Sequence, residues 1–346
     1  MNPGWSRLFS LALALVLSLG LQTGPAAAVA DKEYTVHKLV SNVAGVASFA
    51  DSNLVNAWGL TAGPTTPWWV ADNGKDLSTI YRANGTPATL VVQVQVHPTG
   101  AVFWSFAARA VFVFDTEAGQ IRGWHPSQLN QTVDLKDRSD VGAIYKGLAL
   151  ATTAAGDRFY ATDFHNGRVD VFDASFNLVT NAGAFVDADL PSGYAPFGIQ
   201  TIGSRIFVTY AKQDADAVDE IHGQGKGFVD VYDTSGSLLG RVAQHGQLNA
   251  PWGLALAPAN FGRFSGDLLV GNFGDGQINA YEEGANGRFE HRGELRGGDS
   301  KPISIDGLWA LQFGHGATNN GPTSTLFFTA GPNDESDGLF GSITAP

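Results

Sequence analysis

The chain has 346 residues, no cysteine and a formal net charge of −12 at pH 7. The lack of cysteine excludes disulfides, thiol catalysis and thiolate metal sites. An acidic surface repels nucleic acid phosphates and anionic lipid headgroups, so we expect neither as a partner.

The first 30 residues have the pattern of a secretory signal. A basic Arg7 precedes an apolar run over 8–21 that is too short to span a bilayer, and Ala28-Val29-Ala30 resembles a cleavage site. We therefore predict a leader at 1–30 and one mature domain at 31–346. The mature protein is expected to be secreted or periplasmic, monomeric, and not inserted in a membrane after cleavage.

A three-part phrase recurs six times along the mature chain. A first strand carries a glycine, a second apolar strand ends in Asp or Asn, and a third begins near Gly-x-Ile/Val; the clearest copy runs from Tyr145 to Phe172. A repeat of roughly 40 to 55 residues built from short strands is typical of a β-propeller. We predict an all-β fold, a six-bladed β-propeller with four-stranded blades.

The blades can be numbered by the glycine of each first strand. These anchors are predicted to be Gly59, Gly100, Gly147, Gly198, Gly253 and Gly307. The segment from Tyr34 to Val40 alternates in polarity and precedes the first repeat. We predict that it completes the last blade, because closing the ring in this way hides the exposed strand edges.

The polar residues between strands are expected to gather at one mouth of the channel. Loops that join second to third strands, and each blade to the next, emerge on the same face, and six blades place acids or amides there. Turn formation explains any single one of them. Crowded carboxylates, however, repel one another unless a cation neutralises them or a pKa rises.

A divalent cation is the expected cofactor. Oxygen ligands without cysteine favour Ca²⁺ first, with Mg²⁺ or Mn²⁺ as alternatives. His165 leaves a Zn or Fe site open, although no His-x-His or His-Glu-x-x-His spacing supports one. The predicted ligands are Asp72, Glu117, Asp163, Asp214, Asn272 and Asp334. Asp163 and His165 are candidate catalytic bases, and the candidate substrate contacts are Asn73, Tyr145, Asn166, Tyr194 and Asn249. The long segment 212–227 is predicted to fold over the mouth as a lid.

Two classes of function remain open. One is metal-assisted hydrolysis of an ester or lactone, or a related lyase step. The other is a non-catalytic module that binds an extracellular glycan or peptide on the same rim. The chain has no Gly-x-Ser-x-Gly motif, phosphate-binding loop or dinucleotide fingerprint, so the sequence does not decide between the two classes.

Several phrases resemble an exported bacterial family of six-bladed propellers. They include Asn56 to Leu60, Trp69 to Gly74, Tyr145 to Leu150, Ala161 to Gly167 and Thr329 to Asp334. The resemblance covers nearly the whole mature chain and implies the same fold and an exported location. Some members of that family carry a C-terminal PEP-type sorting tail. The repeats are also similar to NHL-type propellers and, by fold analogy only, to calcium-dependent lactonases.

Overall fold

The computed structural model describes residue 1 and residues 33–105, 110–179 and 183–346. The predicted leader, apart from Met1, lies outside the described residues, as do residues 31 and 32. In the described part of the chain, no helix is both long and apolar enough to cross a membrane.

Six antiparallel sheets form the blades, and this confirms the predicted fold. Blade one comprises β3 (Ala57–Thr61), β4 (Trp68–Asp72), β5 (Leu77–Tyr81) and β6 (Val92–Gln93). Blade two comprises β7 (Pro98–Phe103), β8 (Phe112–Thr116), β9 (Gln120–Trp124) and β10 (Val133–Asp137). Blade three comprises β11 (Tyr145–Thr153), β12 (Gly156–Asp163) and β13 (Arg168–Asp173), and Leu178 adds a single bridge to Phe172.

The remaining blades follow in chain order. Blade four comprises β14 (Tyr194–Ile202), β15 (Arg205–Lys212), β16 (Phe228–Asp233) and β17 (Leu238–Gln244). Blade five comprises β18 (Pro251–Leu256), β19 (Leu268–Asn272), β20 (Ile278–Glu283) and β21 (Phe289–Glu294). Blade six comprises β22 (Leu308–Phe313), β23 (Thr325–Ala330) and β24 (Leu339–Thr344). Short 3₁₀ turns occur at Asn73–Lys75, Pro126–Gln128, Ser139–Val141 and Gly262–Phe264.

The first strand in the sequence closes the ring, as predicted. Strand β1 (Thr35–Ser41) pairs antiparallel with β24, placing Val40 beside Phe340 and Val36 beside Ile343. The short β2 (Phe49–Ala50) then pairs parallel with β1. The last blade is therefore built from both the first and the last strands of residues 33–346.

The recurring glycines allow the innermost strands to approach one another. A Cβ on Gly198 would lie 2.1 Å from the carbonyl oxygen of Trp252, and one on Gly59 would lie 2.4 Å from that of Thr99. A Cβ on Gly253 would likewise lie 2.4 Å from the carbonyl oxygen of Trp309. Neighbouring blades thus touch backbone to backbone, a contact that only glycine permits at this distance.

The glycine predicted for the first strand of blade six, Gly307, was wrong. Gly307 precedes β22 and adopts a left-handed φ of +63° beside the backbone of Gly331. The residue that matches Gly198 is Ala310, because each backbone amide donates to a threonine hydroxyl of the neighbouring strand: Gly198 to Thr209 and Ala310 to Thr329. The glycine motif misled the alignment where the chain uses alanine instead.

We expect Gly198→Ala to lower the free energy of unfolding by about 3 kcal/mol, because the new methyl group must push two strand backbones apart. Gly240→Ala is the matched control, since a Cβ there has open space around it and the φ is ordinary. Urea unfolding of both variants measures the difference. Equal stabilities would contradict the close-approach explanation.

Candidate functional site

An aromatic layer closes the channel near its middle. The residues that precede the glycine or alanine of each innermost strand are Trp58, Thr99, Lys146, Phe197, Trp252 and Trp309. The Trp58 and Trp309 rings stack with centroids 3.6 Å apart, and Trp252 meets Trp58 edge-on at 6.2 Å. Phe197 contacts Trp309 at 5.9 Å. Aromatic rings from four blades therefore meet at the axis.

Lys146 is the basic member of this layer. Its side chain is 1% exposed, and its Nζ lies 2.5 Å from Glu117 and 3.3 Å from Asp219. The ammonium also lies 5.3 Å from the ring centroid of Trp58. The indole of Trp252 donates to the Lys146 carbonyl oxygen at 2.8 Å. Carboxylates and a π face together compensate for the hydration that this buried charge has lost.

A chain of hydrogen bonds extends from Glu117 around the mouth. Asn73 donates to Glu117 at 2.9 Å, and Asn56 donates to the Asn73 side-chain oxygen at 3.2 Å. Asn56 also donates to Glu335 at 2.5 Å and accepts from the indole of Trp309 at 3.1 Å. Blades one, two and six thereby connect to Lys146 of blade three.

The carboxyl groups around Lys146 are held at different pKa values. Burial raises the pKa of Glu220 to about 8, although the charge of Lys146 opposes the rise. Burial also raises the pKa of Glu335. For Glu117, burial acts to raise the pKa, but the charge and hydrogen bond of Lys146 outweigh it and the net shift is downward. The mouth thus combines ionised and protonated carboxyl groups at neutral pH.

Backbone strain is concentrated beside this site. Gln95, Val96 and His97 all adopt left-handed φ values, of 68°, 49° and 56°, and the Glu117 amide donates to the carbonyl oxygen of His97. The run 333–335, which ends at Glu335, shows the same pattern, with φ values of 59°, 49° and 62°. Consecutive left-handed residues are costly and occur where the fold must present particular side chains.

The segment 212–227 lies over the mouth. It supplies Asp219 to Lys146, and the Gln213 side chain donates to the carbonyl oxygen of Phe164 at 2.6 Å. Its far end is anchored where the Gly223 amide donates to Asn249 at 2.5 Å. The Nδ1 atom of His165 lies 3.2 Å from the carbonyl oxygen of Ala217 in the same segment.

Two residues selected from the sequence belong to this cluster, Asn73 and Glu117. The two candidate bases lie elsewhere in blade three: Asp163 is fully buried and bonded by Asn166 at 2.8 Å, and His165 is exposed under the lid segment. The other candidate substrate contacts have structural partners. Tyr145 donates to Asp170 at 2.8 Å, Tyr194 packs edge-on against Phe228 at 4.7 Å, and Asn249 anchors the lid.

The six predicted metal ligands do not converge in this arrangement. Asp72 accepts from the Thr79 amide at 2.8 Å within its own sheet, and Asn272 donates to the carbonyl oxygen of Gln247 at 2.7 Å. Asp214 accepts from the Val218 amide at 2.9 Å, and Asp334 is exposed. Within the described ranges, no group of three or more His, Asp and Glu side chains is placed to hold a metal ion. We therefore derive no chemistry through a metal.

Five residues of the cluster were not selected from the sequence. They are Asn56, Lys146, Asp219, Glu220 and Glu335. Lys146 could have been found by aligning the first strands, since it stands where other blades place Trp58, Phe197 and Trp252. Nothing local to the others distinguishes them from the remaining acids and amides of the loops.

Solved structures of the same fold are similar over most of the chain. A structure of streptogramin B lyase covers 90% of this chain and 98% of its own, with a TM-score of 0.52 and 10% identity. A glucose dehydrogenase matches with a TM-score of 0.55, 11% identity, and coverage of 90% and 100%. A Xanthomonas campestris gluconolactonase has 17% identity, a TM-score of 0.46, and coverage of 78% and 89%. At these identities the likeness to the first two structures shows the fold alone, and the third, with a TM-score below 0.5, carries no argument.

Sequence comparison identifies relatives over nearly the full length, although no protein-family model matches the chain. "Uncharacterized protein R648" of Acanthamoeba polyphaga mimivirus is 31% identical, with 92% of this chain and 82% of that protein covered. "Uncharacterized protein L690" of the same virus is 30% identical, with 92% and 87% covered. These relatives are viral, so the bacterial and exported character inferred from sequence motifs stays a prediction. The chain belongs to the family of these mimivirus proteins.

Proposed function

We propose that the protein is a hydrolase that cleaves an ester or a lactone at the channel mouth. The observation that carries the proposal is the set of carboxyl groups held at different pKa values around the buried ammonium of Lys146. Such divergence marks acid and base roles in catalytic sites. The similarly folded streptogramin B lyase supports only the use of this scaffold, and the chemistry proposed here comes from the site.

Each group has a part in the proposed reaction. Glu335 accepts a proton from water as the water oxygen attacks the carbonyl carbon. The Lys146 ammonium stabilises the oxyanion that develops. Glu220, protonated at neutral pH, gives its proton to the departing alkoxide as the carbon–oxygen bond breaks. Transfer of the proton from Glu335 to Glu220 through solvent then restores the starting state.

The other residues hold these groups in place. Glu117 and Asp219 keep Lys146 charged and fix its position, and Asn56 orients Glu335. The lid segment 212–227 must move to admit a substrate, because Lys146 is buried beneath it. Its glycines at 223, 225 and 227 give the backbone freedom for that movement.

We expect Glu220→Gln to lower kcat by about 10²–10⁴-fold on a substrate found by screening aryl esters and lactones, since it removes the proton donor. The wild-type rate should fall as pH rises through about 8, where Glu220 loses its proton. The variant should lose this pH dependence.

Glu290→Gln, on the exposed outer strand β21, is the matched control and should keep the wild-type rate. Asp163→Asn and His165→Ala test the bases expected from the sequence. A rate abolished by His165→Ala but unchanged in Glu220→Gln would refute the assignment made here.

The alternative is a non-catalytic module that binds an extracellular glycan or peptide. The observation in its favour is the exposed carboxylate of Asp219, whose side chain is 69% exposed at the rim. A peptide ligand of this rim would be basic, because acids outnumber bases there. Saturable binding of such a peptide without turnover in the screen would support this function over the hydrolase.

The calcium requirement stays a proposal with its own test. If Ca²⁺ binds at the mouth, a free concentration of 100 Kd should stabilise the folded state by about 2.7 kcal/mol. The melting temperature should rise accordingly, and EDTA should reverse the rise. Glu117→Gln should weaken the effect, whereas Glu290→Gln should not. A melting curve that responds to neither Ca²⁺ nor EDTA, with no metal in elemental analysis, would eliminate the requirement.

A further inference from the structure

A second cavity lies at the other end of the channel. The innermost strands run from the mouth, at Asn56 and Asn249, through the aromatic layer, and end beyond it. Their ends in five blades line a cavity of ≈ 390 Å³, within the range of about 300–1,000 Å³ found for small-molecule sites. A narrow space of ≈ 30 Å³ continues toward Trp252. The aromatic layer thus separates this cavity from Lys146.

The described residues that line this cavity include several polar side chains but no acid and no strong base. Gln200, Gln312 and Thr61 stand at the same strand position, three residues beyond Phe197, Trp309 and Trp58 respectively. The Thr201 hydroxyl is buried and has no hydrogen-bond partner. Within the described part of the chain, no hydrogen bond of the Gln200 carboxamide is found. The Gln200 carboxamide is therefore available to a ligand, whereas the enclosed Thr201 hydroxyl would have to turn toward the cavity to reach one.

The remaining lining supplies a weak polar pair and an aromatic ring. The Nε2 atoms of Gln312 and His315 lie 3.4 Å apart, which is long for a hydrogen bond. A ligand hydroxyl placed closer to either nitrogen would replace this weak contact with little loss of free energy. The ring of Phe103 offers an apolar surface beside these polar groups. Among the described lining residues none is Asp, Glu, Lys or Arg. A charged ligand would lose its hydration without a compensating charge.

We propose that this second cavity binds a neutral sugar. Carboxamides, hydroxyls and an imidazole match the many donors and acceptors of a polyhydroxylated ring, and Phe103 matches its apolar face. The proposal does not depend on the hydrolase function, because the aromatic layer separates the two sites and no residue of the Lys146 cluster lines the cavity.

Ligand-observed NMR titration with three neutral probes tests the proposal: methyl β-D-glucoside, methyl β-D-galactoside and methyl α-D-mannoside. We expect at least one to saturate, with its affinity lowered about tenfold in Gln200→Ala and in Gln312→Ala, the loss expected for one hydrogen bond. Methyl β-D-glucuronide, which adds a carboxylate to the same ring, should bind at least tenfold more weakly. Glu290→Gln, on the exposed outer strand β21, should bind the probe like the wild type.

Val102→Trp supplies a second variant that fills the cavity rather than removing a contact, and circular dichroism checks its fold. It should abolish probe binding. The proposal is overturned if no neutral probe saturates, if the glucuronide binds as well as the glucoside, or if Gln200→Ala and Gln312→Ala both bind like the wild type.

Discussion

Lys146→Met is expected to destabilise the protein by about 3–5 kcal/mol at pH 7, because it leaves the carboxylate of Glu117 partly buried without its cation. Asp219 adds little to this loss, since its side chain is mostly exposed. The free energy of unfolding in urea measures the effect. Lys301→Met is the matched control, because that lysine is 79% exposed and pairs with exposed Asp299.

Two further measurements distinguish the loss of the Lys146 charge from the loss of its packing contacts. The double variant Lys146→Met/Glu117→Gln should recover most of the lost stability, because no unpaired charge remains. In the single variant the pKa of Glu117 in the folded state should rise above its unfolded value, so stability should be lost as pH rises through that raised pKa. A single variant equally destabilised at pH 5 and pH 7, with no recovery in the double variant, would mean that Lys146 contributes packing alone.

The sequence argument about crowded carboxylates identified the right physical problem at the mouth. It required either a cation or a raised pKa at the mouth, and a metal ion was the expected cation. The chain supplies an internal cation in Lys146 and a raised pKa in Glu220. Neither Lys146 nor Glu220 was selected as a site residue, because Glu117, Lys146 and Glu220 are far apart in sequence and come from different blades.

The fold was more predictable than the site because its signals are local. Each blade repeats glycine, an apolar strand and a turn within one stretch of chain, and β1 had no other sheet to complete. The sixth anchor failed at Ala310, where the repeated feature is a small residue rather than a glycine. Asp72 and Asp163 were selected because acids end strands, yet both carboxylates are used by amides of their own blade.

A chain that begins at Asn42 should be far less stable than one that begins at Glu33, because it lacks β1. That strand buries Val40 completely against the last blade, and buried Tyr34 just before it donates to the carbonyl oxygen of Phe261 at 2.8 Å. Burial of two such side chains contributes about 1.5–3 kcal/mol each. Each kcal/mol of lost stability lowers the melting temperature by about 2–4 °C, so we expect a fall on the order of 10 °C.

The loss should also change the solution behaviour, because β24 would become an open edge. Its backbone groups from Leu339 to Thr344 would be free to pair with another molecule, so the shortened chain should associate as its concentration rises. Val40→Asp tests the same contact without shortening the chain, by placing an unpaired acid against Phe340. Thr35→Asp, at an exposed position of β1, is its control. Light scattering should show more association for Val40→Asp than for Thr35→Asp, and its melting temperature should be lower. Equal behaviour of the two variants would show that β1 is not what holds the ring closed.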